Sequence, residues 1–300
     1  MEEHKQRPLL GVIWMVVAGL CFVAVTALVK LNGPRIPAGE AAFLRYGLGL
    51  LFLLPLFKIL RATTFTPRLW RLIAVRGFFH TFGVTLWFFA MTQISIAEVT
   101  AMNYLTPVFV TIAAAIFLKE RLAFRRILAV CFALLGAMII LRPGFREVSI
   151  GHLAMLAVAC MFCVSYLTAK MLADALPASV VVSMLSIAVT VGLAPLAYAV
   201  WIPPTAGEVG LLFLVACFAT AGHYAMTLAF ANAPLTVTQP VTFIQLIWAV
   251  SLGYFAFGEG IDLWVIFGGF VILSSITFIT WREAVLKRGE ITPGTNVPKV

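Results

Sequence analysis

Charge is scarce in this chain. Only 11% of its 300 residues are Asp, Glu, Lys or Arg, where a soluble domain carries about 25%. No Asp or Glu falls in the middle of an apolar run, so there is no mid-membrane carboxylate for a proton relay or a cationic ligand. Catalytic motifs are also missing. There is no GxxxxGKS/T phosphate loop, no HExxH, no GxSxG and no carboxylate cluster at metal-binding spacing. An intramembrane hydrolase or lipid transferase would have no nucleophile and base, so the chain reads as a non-enzyme with no cofactor and no metal. Cysteine is sparse: Cys21, Cys131, Cys160, Cys163 and Cys217 all fall inside apolar runs and form no disulfide framework. Cys160 and Cys163 make a CxxC, but in mid-helix it lacks the strand-to-helix setting of a redox site, and packing is the expected role. Alternating strand patterns are absent as well, which excludes a membrane barrel.

Apolar length is what the chain has. It is 62% hydrophobic with a mean hydropathy of +1.05. Runs long enough to cross about 30 Å of hydrocarbon recur throughout. Ten spans are expected, at 9–31, 38–58, 71–92, 95–118, 124–142, 150–172, 178–201, 208–231, 235–257 and 262–281. The charged start, MEEHKQR, runs straight into the first span with no cleavage site and reads as a retained helix. Residues 282–300, with Pro293, Gly294 and Pro298, read as a disordered cytoplasmic tail. The net charge of +9 belongs to membrane-flanking loops and not to a nucleic-acid surface.

The spans repeat. A shift of 140 carries Gly11 onto Gly151, Met15 onto Met155, Phe22 onto Phe162, Lys30 onto Lys170, and Pro37-Ala38 onto Pro177-Ala178. A shift of 139 carries Gly83 onto Gly222 and Glu120 onto Glu259. Each half then holds five spans, an odd number, so the halves must insert upside down relative to one another. The expected fold is an all-α integral membrane protein of ten transmembrane helices in a five-plus-five inverted-topology repeat. Its halves are 1–145 and 146–281. Loop charges agree: with a cytoplasmic N-terminus, most of the 21 Lys and Arg fall on the cytoplasmic side. The basic loops of the first half correspond to second-half loops carrying Glu208, Glu259 and Asp262. The chain is thus expected to be a multi-pass protein of the cell (inner) membrane with both termini cytoplasmic.

Ten helices, the five-plus-five repeat, the Pro-Ala after the first helix of each half, and a Glu closing helices four and nine resemble the drug/metabolite transporter superfamily. The closer resemblance is to its ten-helix, EamA-type metabolite exporters. It implies a central cavity lined mainly by helices one, three, four, six, eight and nine. It also implies export of small metabolites by alternating access, with helices five and ten as a scaffold.

Polar groups within the spans are candidate site residues, because hydrocarbon makes them costly elsewhere. They are His80 with Trp87 on helix three, Asn103 on helix four and Tyr166 on helix six. His223 on helix eight joins them, as do Thr242, Gln245 and Trp248 on helix nine. Hydrogen bonding between helices is the competing role for each. Pro107 and Pro240 are expected to kink helices four and nine by freeing the carbonyls of Asn103 and Thr236. Arg76 is expected to snorkel to the cytoplasmic face, Arg45 to snorkel or pair with Glu40, and Glu98 to be wet. An aromatic lining with His and amides suits neutral hydrophobic or aromatic amino acids. Drug-like molecules, nucleotide-linked cofactors and polyamines remain alternatives, as does a non-transporting scaffold. The expected partners are a small-molecule substrate and the lipid bilayer, with a homodimer as an allowed state and nucleic acid excluded.

Overall fold

The structure, a computed structural model, describes residues 8–117, 124–145, 147–173, 175–232 and 235–291. These residues form twelve α-helices and no β-strand. In order they are α1 (Pro8–Asn32), α2 (Ala38–Gly49), α3 (Phe57–Ala62), α4 (Pro67–Gln93), α5 (Ile96–Asn103), α6 (Leu105–Phe117), α7 (Phe124–Leu141), α8 (Ile150–Ala173), α9 (Ala178–Ala199), α10 (Ala206–Asn232), α11 (Leu235–Phe257) and α12 (Leu263–Ile291). Among the described residues, six stretches are long and apolar enough to cross a membrane: most of α1, α4, α8, α9 and α10, and α2 with the turns that follow it. Shorter apolar runs lie in α7, α11 and α12. The chain is a helical membrane protein. All five cysteines are free.

Local chemistry sets where the helices start, loosen and stop. α2 and α9 follow Pro37 and Pro177, whose backbones agree closely at φ −55°, ψ 144° and φ −56°, ψ 143°. α2 tightens into a 3-10 turn at Leu50–Leu56, which contains Pro55, a residue with no N–H for the α ladder. Thr66 caps α4, followed by Pro67 at the first helical position. Ser95 and Glu98 form a capping box at the start of α5. The expected kink in the fourth span is a full break: α5 ends at Asn103 and α6 starts at Leu105. Pro107 lies four residues after the Asn103 carbonyl, where it can neither donate nor fit. α11, in contrast, runs through Pro240 without interruption. α12 continues to Ile291, past the expected end at 281. The added residues, REAVLKRGEI, are mostly good helix formers. Residues 292–300 lie outside the described residues.

Packing pairs the elements across the chain. The main pairs are α1 on α10, α4 on α8, α7 on α12 and α2 on α9, with α4 also on α9 and α10 on α2. Two glycines let side chains approach. A Cβ on Gly83 would sit 2.6 Å from the Phe162 ring, and one on Gly222 would sit 3.2 Å from the Phe22 ring. At each place a helix backbone is the floor for a phenylalanine from its partner helix.

Candidate functional site

His80 is the centre of a three-helix junction. It sits on the 27-residue α4, about 20 Å from the helix start. Its Nε2 lies 2.9 Å from Tyr46 Oη on α2, and its Nδ1 lies 3.0 Å from Ser165 Oγ on α8. Each hydroxyl can donate or accept, so both ring nitrogens are satisfied in either tautomer. The imidazole stacks on Phe162 at 4.9 Å and 25°, and Phe162 stacks on Tyr166 at 6.0 Å and 22°. The result is a ladder of near-parallel rings running from α4 onto α8. Tyr166 ends it with 46% of its surface accessible. His223 on α10 is exposed as well, edge-on to Phe22 at 5.1 Å and 74°.

Two arginines share this region. Arg45 lies over the Tyr46 ring at 3.9 Å and does not pair with Glu40. The Glu40 carboxylate is fully buried and accepts the Ile202 backbone N–H at 2.9 Å. Arg76 does not snorkel. It is 8% exposed and donates to the Val181 carbonyl at 3.1 Å. The reason is that α4 begins at Pro67 and not at 71, which carries Arg76 a further turn into the bundle. Both arginines fall within electrostatic range of His80 and His223.

The other candidates come from α5 and α11. Asn103 closes α5 at the break, and its Oδ1 is buried with no hydrogen-bond partner among the described residues. Gln245 packs against α1, where its Cβ lies 3.5 Å from the position a Gly19 Cβ would take. Trp248 is 42% exposed. The side chain of Thr242 lies outside the described residues. Trp87 belongs to the packed core, edge-on to Phe88 at 5.9 Å. The structure therefore joins His80 to Tyr166 through Phe162 and brings His223 within range of them. Trp87 makes its ring contact elsewhere. Tyr46 and Ser165 are partners of His80 that sequence reasoning missed, and neither carries a spacing signal.

One end of the molecule is tied shut by polar contacts between the first 145 residues and the rest. Lys30 on α1 pairs with Glu259, and its Nζ also donates to the Ile94 carbonyl at 3.2 Å. Glu259 Oε2 accepts the Ile96 N–H at 3.1 Å. Gly258, with φ 63°, turns the chain so that Glu259 can do this. Arg35 pairs with Glu208, with Nε 2.6 Å from Oε1, and Arg142 pairs with Asp262. The Glu208 hydrogen bond raises the Arg35 pKa above its ordinary value. Glu98, expected to be wet, is 7% exposed, with Oε1 3.0 Å from His152 Nε2. The Ser149 N–H points at His152 Nδ1 from 3.2 Å, which makes Nδ1 an acceptor and leaves Nε2 to donate to Glu98. Burial follows because the capping box holds Glu98 against α8.

Long apolar helices packed around a polar and aromatic cluster fit one class, a multi-pass membrane transporter, and the comparisons with known proteins agree. The profile of the EamA-like transporter family matches residues 9–142. A riboflavin transporter of Rhizobium johnstonii is 30% identical over 94% of this chain and 95% of its own length. One from Vibrio cholerae is 30% identical over 95% and 98%. An S-adenosylmethionine uptake transporter of Rickettsia conorii is 24% identical over 94% and 96%. A solved crystal structure superposes with a TM-score of 0.60 at 16% identity, covering 92% of this chain and 98% of that one, so the fold is shared. The chain belongs to the EamA-like transporter family, within the drug/metabolite transporter superfamily. These relatives are transporters and not enzymes, which agrees with the missing catalytic motifs.

Proposed function

We propose that the chain moves a planar heteroaromatic metabolite of the riboflavin type across the membrane by alternating access to a central hollow. The observation that carries this reading is the ring ladder His80–Phe162–Tyr166, with successive planes tilted by 25° and 22°. A flat ring laid on the open face of Tyr166 extends the ladder by one step, and offset stacking favours that arrangement. Asn103 Oδ1, buried without a described partner, is an acceptor for a ring or ribityl donor. His223, Gln245 and Trp248 complete the wall, with Trp87 supporting it from the core. The two relatives named riboflavin transporters, each 30% identical along nearly the whole chain, favour this substrate class.

Export of neutral hydrophobic or aromatic amino acids is the second reading. The same aromatic face would hold a phenyl or indole ring, but no relative's name supports it. Counterflow in proteoliposomes separates the two. Exchange of labelled riboflavin, with none of labelled phenylalanine, is the expected result; phenylalanine exchange without riboflavin would reverse the order. The Rickettsia relative's name favours uptake over export.

The proposed architecture is the ten-helix inverted repeat with halves 1–145 and 146–281. Its support is the pairing of contacts. Gly83 faces Phe162 while Gly222 faces Phe22, and these are counterparts in the two sequence halves. α1 on α10 likewise mirrors α8 on α4. Both termini are proposed to be cytoplasmic in the inner membrane, from the excess of Lys and Arg on that side. Reporter fusions after residues 62 and 145 should report opposite sides.

A further inference from the structure

An arginine inside a membrane protein is costly unless an anion or a set of acceptors compensates it. Among the described residues, Glu40, Glu98 and Glu208 lie in the first turns of their helices, Glu147, Glu259 and Asp262 in connections, and Glu283 and Glu290 in the polar last part of α12. Arg76, though 8% exposed, has the Val181 carbonyl as its only hydrogen-bond acceptor among the described residues, and its Nε is buried without a described partner. Arg45, the more accessible of the two, rests on the Tyr46 ring, which helps hold a guanidinium but cannot neutralise it. At the tied end, Lys30, Arg35 and Arg142 each face a carboxylate. Around the hollow, no described carboxylate stands beside either arginine.

We infer that the hollow selects an anion: a planar ring carrying a phosphate or carboxylate, with the ring on Tyr166 and the anionic group drawn to Arg45. Arg76 adds its field from within the wall. The ring half of this statement rests on the riboflavin-type reading above; the charge half does not. Arginine suits the task because its charge is permanent and its planar donors match carboxylate and phosphate oxygens. A ligand with net positive charge and no acidic group meets two like charges with nothing to offset them.

The test is ligand-induced thermal shift of the detergent-purified full chain, with affinities compared within two matched pairs: riboflavin against riboflavin 5′-phosphate, and adenosine against adenosine 5′-monophosphate. 5′-Amino-5′-deoxyadenosine, whose ammonium has no acidic group beside it, is the cationic control. The phosphate is expected to tighten binding about tenfold within a pair, with the ammonium compound weakest. In Arg45→Gln the phosphate-to-neutral ratio should fall towards one, and in Arg45→Lys most of it should return. Wild-type protein ranks the ligands without any variant, so a misfolded variant leaves the inference testable. Neutral ligands binding as tightly as their phosphates, or the ammonium compound binding best, would overturn it. A phosphate preference in the adenosine pair alone would support it while overturning the flavin reading. Failure of all five ligands to bind would overturn both.

Discussion

The charges at the tied end and the charges around the hollow follow opposite rules. At the tied end, Lys30, Arg35 and Arg142 each meet a carboxylate from the other half of the chain, and Glu98 meets His152. Around the hollow, Arg45 and Arg76 have aromatic and carbonyl neighbours and no described carboxylate. The difference separates two uses of a charged side chain in a membrane protein. Paired charges hold elements together, so removing one partner is felt as lost stability. Unpaired charges do little for packing, so removing one is felt through whatever ligand they attract.

This contrast can be broken, and the largest break is a change of sign in the hollow. Arg45→Glu should lower flux of the preferred substrate by more than about tenfold in proteoliposomes, while the melting temperature in detergent changes little. Retained flux would remove the contrast. Next in size is Glu259→Gln, which strands Lys30 and takes a full charge from the Ile96 N–H. The pair is partly buried, with side-chain exposures of 23% and 14%, so the loss should be about 2 kcal/mol, below the range for fully buried pairs. Replacing Lys30 and Glu259 together by Met should restore more than half of the lost thermal stability, because no charge is then stranded. His152→Ala should cost somewhat less, about 1.5 kcal/mol, as one hydrogen bond to a charged group is lost. Urea-induced loss of flux would read it. Smallest is Arg35→Gln. This pair is exposed, so its melting temperature should differ from wild type only at low salt, with the difference gone once salt screens it.

Much of the frame was legible in the sequence because it depends on local chemistry. The apolar runs marked the helices, and Pro107 marked the place where the fourth span departs from a straight helix. The matched glycines and phenylalanines of the two halves were visible as a register before their contacts were known. The site was only half legible. His80 stood out as a polar residue in an apolar span, but its partners Tyr46 and Ser165 are 34 and 85 residues away, and no periodicity links positions so distant. Arg76 and Glu98 were misplaced for a related reason. Whether a charge near a span end is wet or buried depends on where the helix starts and on which helix packs beside it. For Arg76 a four-residue error in the start of α4 was enough to reverse the answer.

Three glutamates at the tied end hold the third position of their helices: Glu40 in α2, Glu98 in α5 and Glu208 in α10. Glu98 and Glu208 each accept the backbone N–H of their own cap residue, at 2.9 Å for Ser95 and 2.7 Å for Thr205. The same carboxylates also reach across to the other half of the chain. Parting the halves at this end would therefore pull on the first turns of α5 and α10 and expose their amides to water. A transporter cycling in deuterated buffer should then label Ser95–Glu98 and Thr205–Glu208 ahead of the helix middles, and substrate that speeds the cycle should speed the labelling. The caps would act as a clock for the opening of this face.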